Sequence, residues 1–147
     1  MNISNKEYDL MVKKATPNSN LISDCVKAFL VGGTICVIGQ FIFEFFSALD
    51  IKKDDASALT SASLILIGAL LTGFGVYDKI ANIGKAGTLV PITGFANSIV
   101  SPAMEYKTEG LVPGVGTKMF TIAGPVIVYG ISASVIYAFI YKLVGGF

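Results

Sequence analysis

The chain has 147 residues, 53% of them hydrophobic and only 14% charged, where soluble domains carry about a quarter charged residues. Its 11 cations, all lysine, nearly balance 10 acids; without a basic stripe, nucleic acid is excluded as a partner. With no histidine and two cysteines, the chain offers no zinc, haem or other metal centre, and with no Walker sequence or nucleophile–base pair it reads as neither an enzyme nor an ATP-driven pump and calls for no cofactor.

Residues 1–27 are polar and charged and form an N-terminal surface segment ahead of a membrane domain at 28–147. Within the segment, Ser4 and Glu7 stand at capping-box spacing. Tyr8, Met11, Val12 and Ala15 then follow the i, i+3, i+4, i+7 pattern of a short amphipathic helix, suited to the membrane surface. The first span, about 28–49, carries Gly32, Gly33 and Gly39 in one half and phenylalanines in the other. Cys25 and Cys36 lie about 16 Å apart if one helix holds both, too far for a disulfide, and are expected as small buried thiols.

The charged loop "DIKKDD" leads to a second span, 56–77, which has no charge at all. Its Ser61, Gly68, Thr72 and Gly75 fall within about 60° of one another at 100° per residue. That seam lets a neighbouring helix approach closely, within the bundle or in another subunit. The last apolar region runs from Leu111 to Tyr141, interrupted only by Lys118, with a charge-free span at 119–141. One straight helix of that length would measure about 46 Å against a hydrocarbon core of about 30 Å. It must tilt, bend at Gly124-Pro125 or begin outside the lipid. Gly130, Ser134 and Ala138 form a second small-residue ridge.

Between these spans lies a broken segment at about 80–104, in which "GTLVPITGFANSIVSPAM" has no charge but contains Pro91, Gly94, Asn97 and Pro102. Pro91 cannot donate a backbone hydrogen bond, and Gly94 loosens the helix beside it. In hydrocarbon, such backbone survives only when buried in protein or beside water. Pro91 and Gly94 therefore read as a hinge, with Thr93 placed to cap a half-helix starting at Gly94 or Phe95. The expected fold is an all-α, polytopic membrane helical bundle with three full spans plus this re-entrant or broken segment. If the segment crosses, lysines divide seven against four; if it returns, eight against three. Both versions satisfy the positive-inside tendency, the second more strongly, with the N-terminus inside.

"CVKAFLVGGTICVIGQ", "LLTGFGVYDKI", "LVPITGFANS", "MEYKTEG" and "VIVYG" occur in this order. Together they resemble the SpoVAC/SpoVAEB sporulation membrane protein family of endospore-forming bacteria, from about Cys25 to Gly130. The resemblance implies the inner membrane of the forespore and spore, and movement of calcium–dipicolinic acid during sporulation and germination. It also implies an assembly with a soluble AD-type and a membrane AEB-type stage V sporulation protein, hence a homo- or hetero-oligomer embedded in membrane lipid. In one place the chain departs from the family pattern, reading Lys85-Ala86-Gly87 where the family has Gly-Ala-Gly.

Dipicolinate is a flat aromatic dianion, nearly neutral as its calcium chelate. A route for it needs amide and hydroxyl donors and aromatic faces without deep traps. Thr93, Phe95, Asn97 and Ser98 supply these in one short stretch. Secondary candidates are Glu44, an acid inside the first span, with Gln40 one turn before it, and Lys118, which either attracts an anion or snorkels. Glu105, Lys107 and Glu109 form a mixed-charge turn that is a solvated loop or a docking face for a partner. The function expected is a subunit of a passive conduit; the alternatives are a membrane-tension-gated channel and a non-conducting anchor for a soluble partner.

Overall fold

A computed structural model describes residues 5–15 and 20–145. Among these there is no strand, and three helical stretches are long and apolar enough to cross a membrane. Helix α1 (Asn5–Ala15) forms where the amphipathic pattern placed it and leaves Tyr8, Leu10 and Met11 exposed; Ser4 of the expected capping box lies outside the described residues. Helix α2 (Leu21–Ser47) begins before the apolar run. Its first turns, with Asp24 and Lys27, supply the polar end of a helix that outlasts the hydrocarbon. Both cysteines sit on α2, free and exposed. The expectation of buried thiols is thus corrected, because the faces bearing them turn away from every other helix.

The chain turns at Asp50, in the left-handed region with φ 58°, and re-enters as α3 (Lys53–Gly73). Asp54 and Asp55 occupy the first turn of α3, where carboxylates meet the positive end of the helix dipole. Helices α2 and α3 are antiparallel neighbours, in contact where Gly39 lets Leu64 approach.

Three short helices follow: α4 (Tyr77–Gly84), α5 (Ala86–Leu89) and α6 (Ile92–Glu105). The direction of α6 decides the topology. Gly68 of α3 meets Thr93, and Thr72 meets Asn97. Both pairs are 25 positions apart, so α6 runs parallel to α3 and leaves by the end at which α3 left. A crossing segment would have run antiparallel. At 14 residues α6 is also only about 21 Å long. The broken segment is therefore a re-entrant hairpin. It is also shallow, since Gly68 stands five residues before the end of α3, roughly 7.5 Å along its axis.

A 3-10 turn at Lys107–Glu109 and a π-helical stretch at Leu111–Gly116 run into α7 (Thr117–Leu143). The last span is thus one helical stretch of 33 residues. Its opening turns dock on the 106–109 turn through Gly114, where a Cβ would press on Glu109. Ala123 is buried, but beyond it α7 is exposed almost throughout.

Candidate functional site: a pinned re-entrant hairpin

Most of the well-buried side chains gather at the hairpin: Tyr77, Thr88, Thr93 and Ala96, with Thr72 of α3 beside them. The α4–α5 arm crosses α2 backbone to backbone. Gly87 sits so close to the Ala28 carbonyl that any Cβ would collide with it, and a Cβ on Gly32 would meet the Gly87 carbonyl oxygen at a tight 3.2 Å. Gly84 is enclosed by Val31 and Thr88. On the second arm, Gly94 abuts the carbonyls of Thr88 and Leu89, and Gly68 receives the Thr93 backbone, which a Cβ would meet at 3.0 Å. Small residues permit this closeness in lipid, where apolar burial alone does not drive helices together.

Two polar pins fix the arms. Tyr77 Oη lies 2.8 Å from the Thr88 carbonyl oxygen and 3.1 Å from Thr93 Oγ1. A phenol carries one proton; donated to the carbonyl, it leaves Oη to accept from the Thr93 hydroxyl. Thr72 Oγ1 lies 2.7 Å from the Gly68 carbonyl oxygen and 2.9 Å from the side-chain amide of Asn97. The one Thr72 hydroxyl proton thus faces two acceptors, the Gly68 carbonyl and Asn97 Oδ1. The Tyr77 pin ties α4 to α5 and α6 within the hairpin, and the Thr72 pin ties α6 to the end of α3; a buried pair left half-made would cost about 1–3 kcal/mol.

The residues singled out for a solute route divide accordingly. Thr93 is buried and bonded to Tyr77; Asn97 is half-buried and bonded to Thr72; Ser98 donates to the Phe95 carbonyl of its own helix at 2.7 Å; Phe95 is half-buried. Thr93 is not the helix cap that its position suggested. Helix α6 starts at Ile92, with extended Pro91 as its N-cap residue and no side-chain cap, because the Pro91 carbonyl already accepts the first turn's amides from Gly94 and Phe95. Pro91 does break the chain, while Gly94 serves close approach rather than looseness. Gln40 donates to Glu44 at 3.1 Å on an exposed face of α2, far from the hairpin in sequence and packing. Lys118 holds its ammonium 4.5 Å from the centroid of the Tyr106 ring, a cation–π contact near Glu105. Glu105, Lys107 and Glu109 are exposed at the return turn.

Tyr77 and Thr88 went unnoticed in the sequence. The one signal was Tyr77 closing a charge-free run just before Asp78, which equally marks an ordinary interfacial tyrosine.

Three spans and a pinned re-entrant hairpin define a polytopic helical membrane protein, in which the hairpin's helical arms are packed against α2 and α3 while Leu89 and Val90 at its break stay exposed. The family model described as "SpoVAC/SpoVAEB sporulation membrane protein" matches residues 24–140. Stage V sporulation protein AC of Bacillus subtilis (strain 168) is 52% identical over 136 residues, covering 92% of this chain and 91% of that protein. No solved structure matches. The chain belongs to the SpoVAC/SpoVAEB sporulation membrane protein family.

Proposed function

We propose that this protein is a membrane subunit of the assembly that carries calcium–dipicolinic acid across the spore inner membrane, by gated permeation and without chemistry. The observation that carries the reading is the re-entrant hairpin. Its second arm begins beside Gly68, five residues inside the end of α3, and runs outward. Thr93 thus lies deepest and Asn97, beside Thr72, lies near the mouth, a shallow form of the broken helices that hold polar solutes. With Thr93 and Asn97 committed to Tyr77 and Thr72, the chain is in a closed state. A route opens when solute or a partner takes over those hydrogen bonds. Soluble AD-type and membrane AEB-type proteins are the proposed partners, and copies or relatives complete the wall.

Replacing Asn97→Leu together with Thr72→Val removes one pin as a matched apolar pair, the substitution least costly to folding. Dipicolinate accumulation in forespores carrying this pair should fall several-fold while membrane levels of the protein hold. Normal accumulation would remove the hairpin from the route. The exposed Glu105–Glu109 turn supports a second reading, an anchor for a soluble partner. Charge reversal at Glu105 and Glu109 would then abolish partner recruitment and leave the pin variant without effect.

A further inference from the structure

A groove of about 310 Å3 opens between α2 and α3 above the hairpin. Ile35 and Ile38 line one wall, Ile67 and Leu71 the other, and Tyr77 and Thr93 close its floor. Every hydroxyl on its border is already engaged. Thr34 donates to the Leu30 carbonyl at 2.8 Å, and Tyr77 and Thr93 are tied to each other and to Thr88. A polar solute would find no partner there, at a cost of several kcal/mol.

The groove lies within the charge-free lengths of both spans and opens past Ile38 and Ile67, 45% and 39% exposed, so the surrounding medium is hydrocarbon. Its volume is roughly twice the ~150 Å3 that accepts a benzene ring, space for on the order of a dozen carbons. A helix is too wide. With side chains it measures about 10–12 Å across, and the walls of this groove touch where Gly39 meets Leu64. A single unbranched hydrocarbon chain fits both the width and the volume.

We propose that this groove binds one acyl chain of a membrane phospholipid, seated against the Tyr77–Thr93 pin. The chain thereby joins the wall that keeps the hairpin in place, and this holds whether or not the protein conducts.

The sequence contains no tryptophan, so one introduced indole reports alone. Ile38→Trp places it at the groove mouth. Leu66→Trp, at a 60% exposed position on the opposite side of α3, serves as the lipid-facing control. The full-length protein in detergent is titrated with phosphatidylcholine carrying brominated acyl chains. Ile38→Trp should be quenched near stoichiometric lipid, with at least about tenfold less than Leu66→Trp needs, a difference of about 1.4 kcal/mol. Parallel quenching of the two would overturn the proposal. So would an Ile38→Trp that stays unquenched while its emission depends on protein concentration, since a second copy would then cover the groove. If Ile38→Trp fails to fold, Ile67→Trp reads the same groove from its other wall, and the same outcomes decide.

Discussion

Tyr77 opens α4, and its phenol oxygen sits between the Thr88 carbonyl and the Thr93 hydroxyl. Both neighbours are almost fully buried, so neither can turn to water if the phenol is removed. Tyr77→Phe should therefore destabilise the protein by about 1–3 kcal/mol, read as a lower midpoint of thermal unfolding in detergent. Thr93→Val should cost a similar amount. Because the two side chains share one bond, the double variant should lose clearly less than both losses combined; simple additivity would show that no pin exists. Lys85 offers a change of opposite sign. Its φ of 48° and ψ of −126° place an L-residue where glycine belongs, at a cost of about 1–3 kcal/mol. Relief of that strain exceeds the added backbone entropy of glycine, about 0.5–1 kcal/mol. Lys85→Gly should thus raise the unfolding midpoint, and a lowered one would show that the lysine side chain contributes more than its backbone costs. Tyr77 could not be weighed from the sequence, whereas Lys85 was marked there as standing where the family pattern has glycine. The partners of Tyr77 lie 11 and 16 positions away, beyond any local periodicity; the positive φ at Lys85 gives the departure from Gly-Ala-Gly its physical meaning, a backbone position that favours glycine.

At the scale of elements, the spans were legible because hydrocarbon imposes one rule on every residue of a crossing helix, and charge-free runs state it directly. The break at Pro91 was legible for an equally local reason, the missing amide. The path of the hairpin was not. It depends on which backbone can approach which, and that was written in glycines on separate segments: Gly32 against Gly87, Gly68 against Thr93. The small-residue seam of α3 carried half of this information, since Gly68 and Thr72 do receive α6, but nothing in the seam itself named its occupant. A topology experiment tests the outcome. In a background with Cys25→Ser and Cys36→Ser, a cysteine at Thr108 should react with an impermeant thiol reagent from the side of the N-terminus. One at Ile51 should react from the opposite side. A cysteine at Thr88, whose side chain is 2% exposed, should stay unreactive until the protein unfolds. Labelling of Thr108 from the Ile51 side would make the segment a crossing one. Gly94→Val adds a steric counterpart: with the Thr88 and Leu89 carbonyls in the way, α5 and α6 must separate, and Thr88 should become reactive in the folded protein.

For the whole molecule, exposed area is the informative quantity. The chain exposes 11,293 Å2, against about 7,200 Å2 for a compact monomer of its 15.5 kDa mass. Lipid accounts for part of that difference, but lipid has no use for a ridge of small residues. Beyond Ala123, α7 carries Gly130, Ser134 and Ala138 along one side, and the hypothetical Cβ of Gly130 meets nothing within 4 Å. The same side is continuous with buried Ala123, so the seam that holds α7 to the bundle runs on with no helix of this chain against it. Tyr137 and Tyr141 stack at its far end, ring centroids 6.1 Å apart. An assembly of several subunits makes use of such a ridge, since close helix approach in lipid depends on small side chains. Gly130→Leu separates the two roles. Inside one chain the added side chain has open space, so the monomer's unfolding should shift by no more than about 0.5 kcal/mol, as at ordinary surface sites. Between subunits it would hold the helices apart, and cross-linking in native membranes should show the oligomer replaced by monomer. An unchanged oligomer would move the subunit interface away from α7, whereas a destabilised monomer would mean that α7 folds back on its own bundle in the membrane.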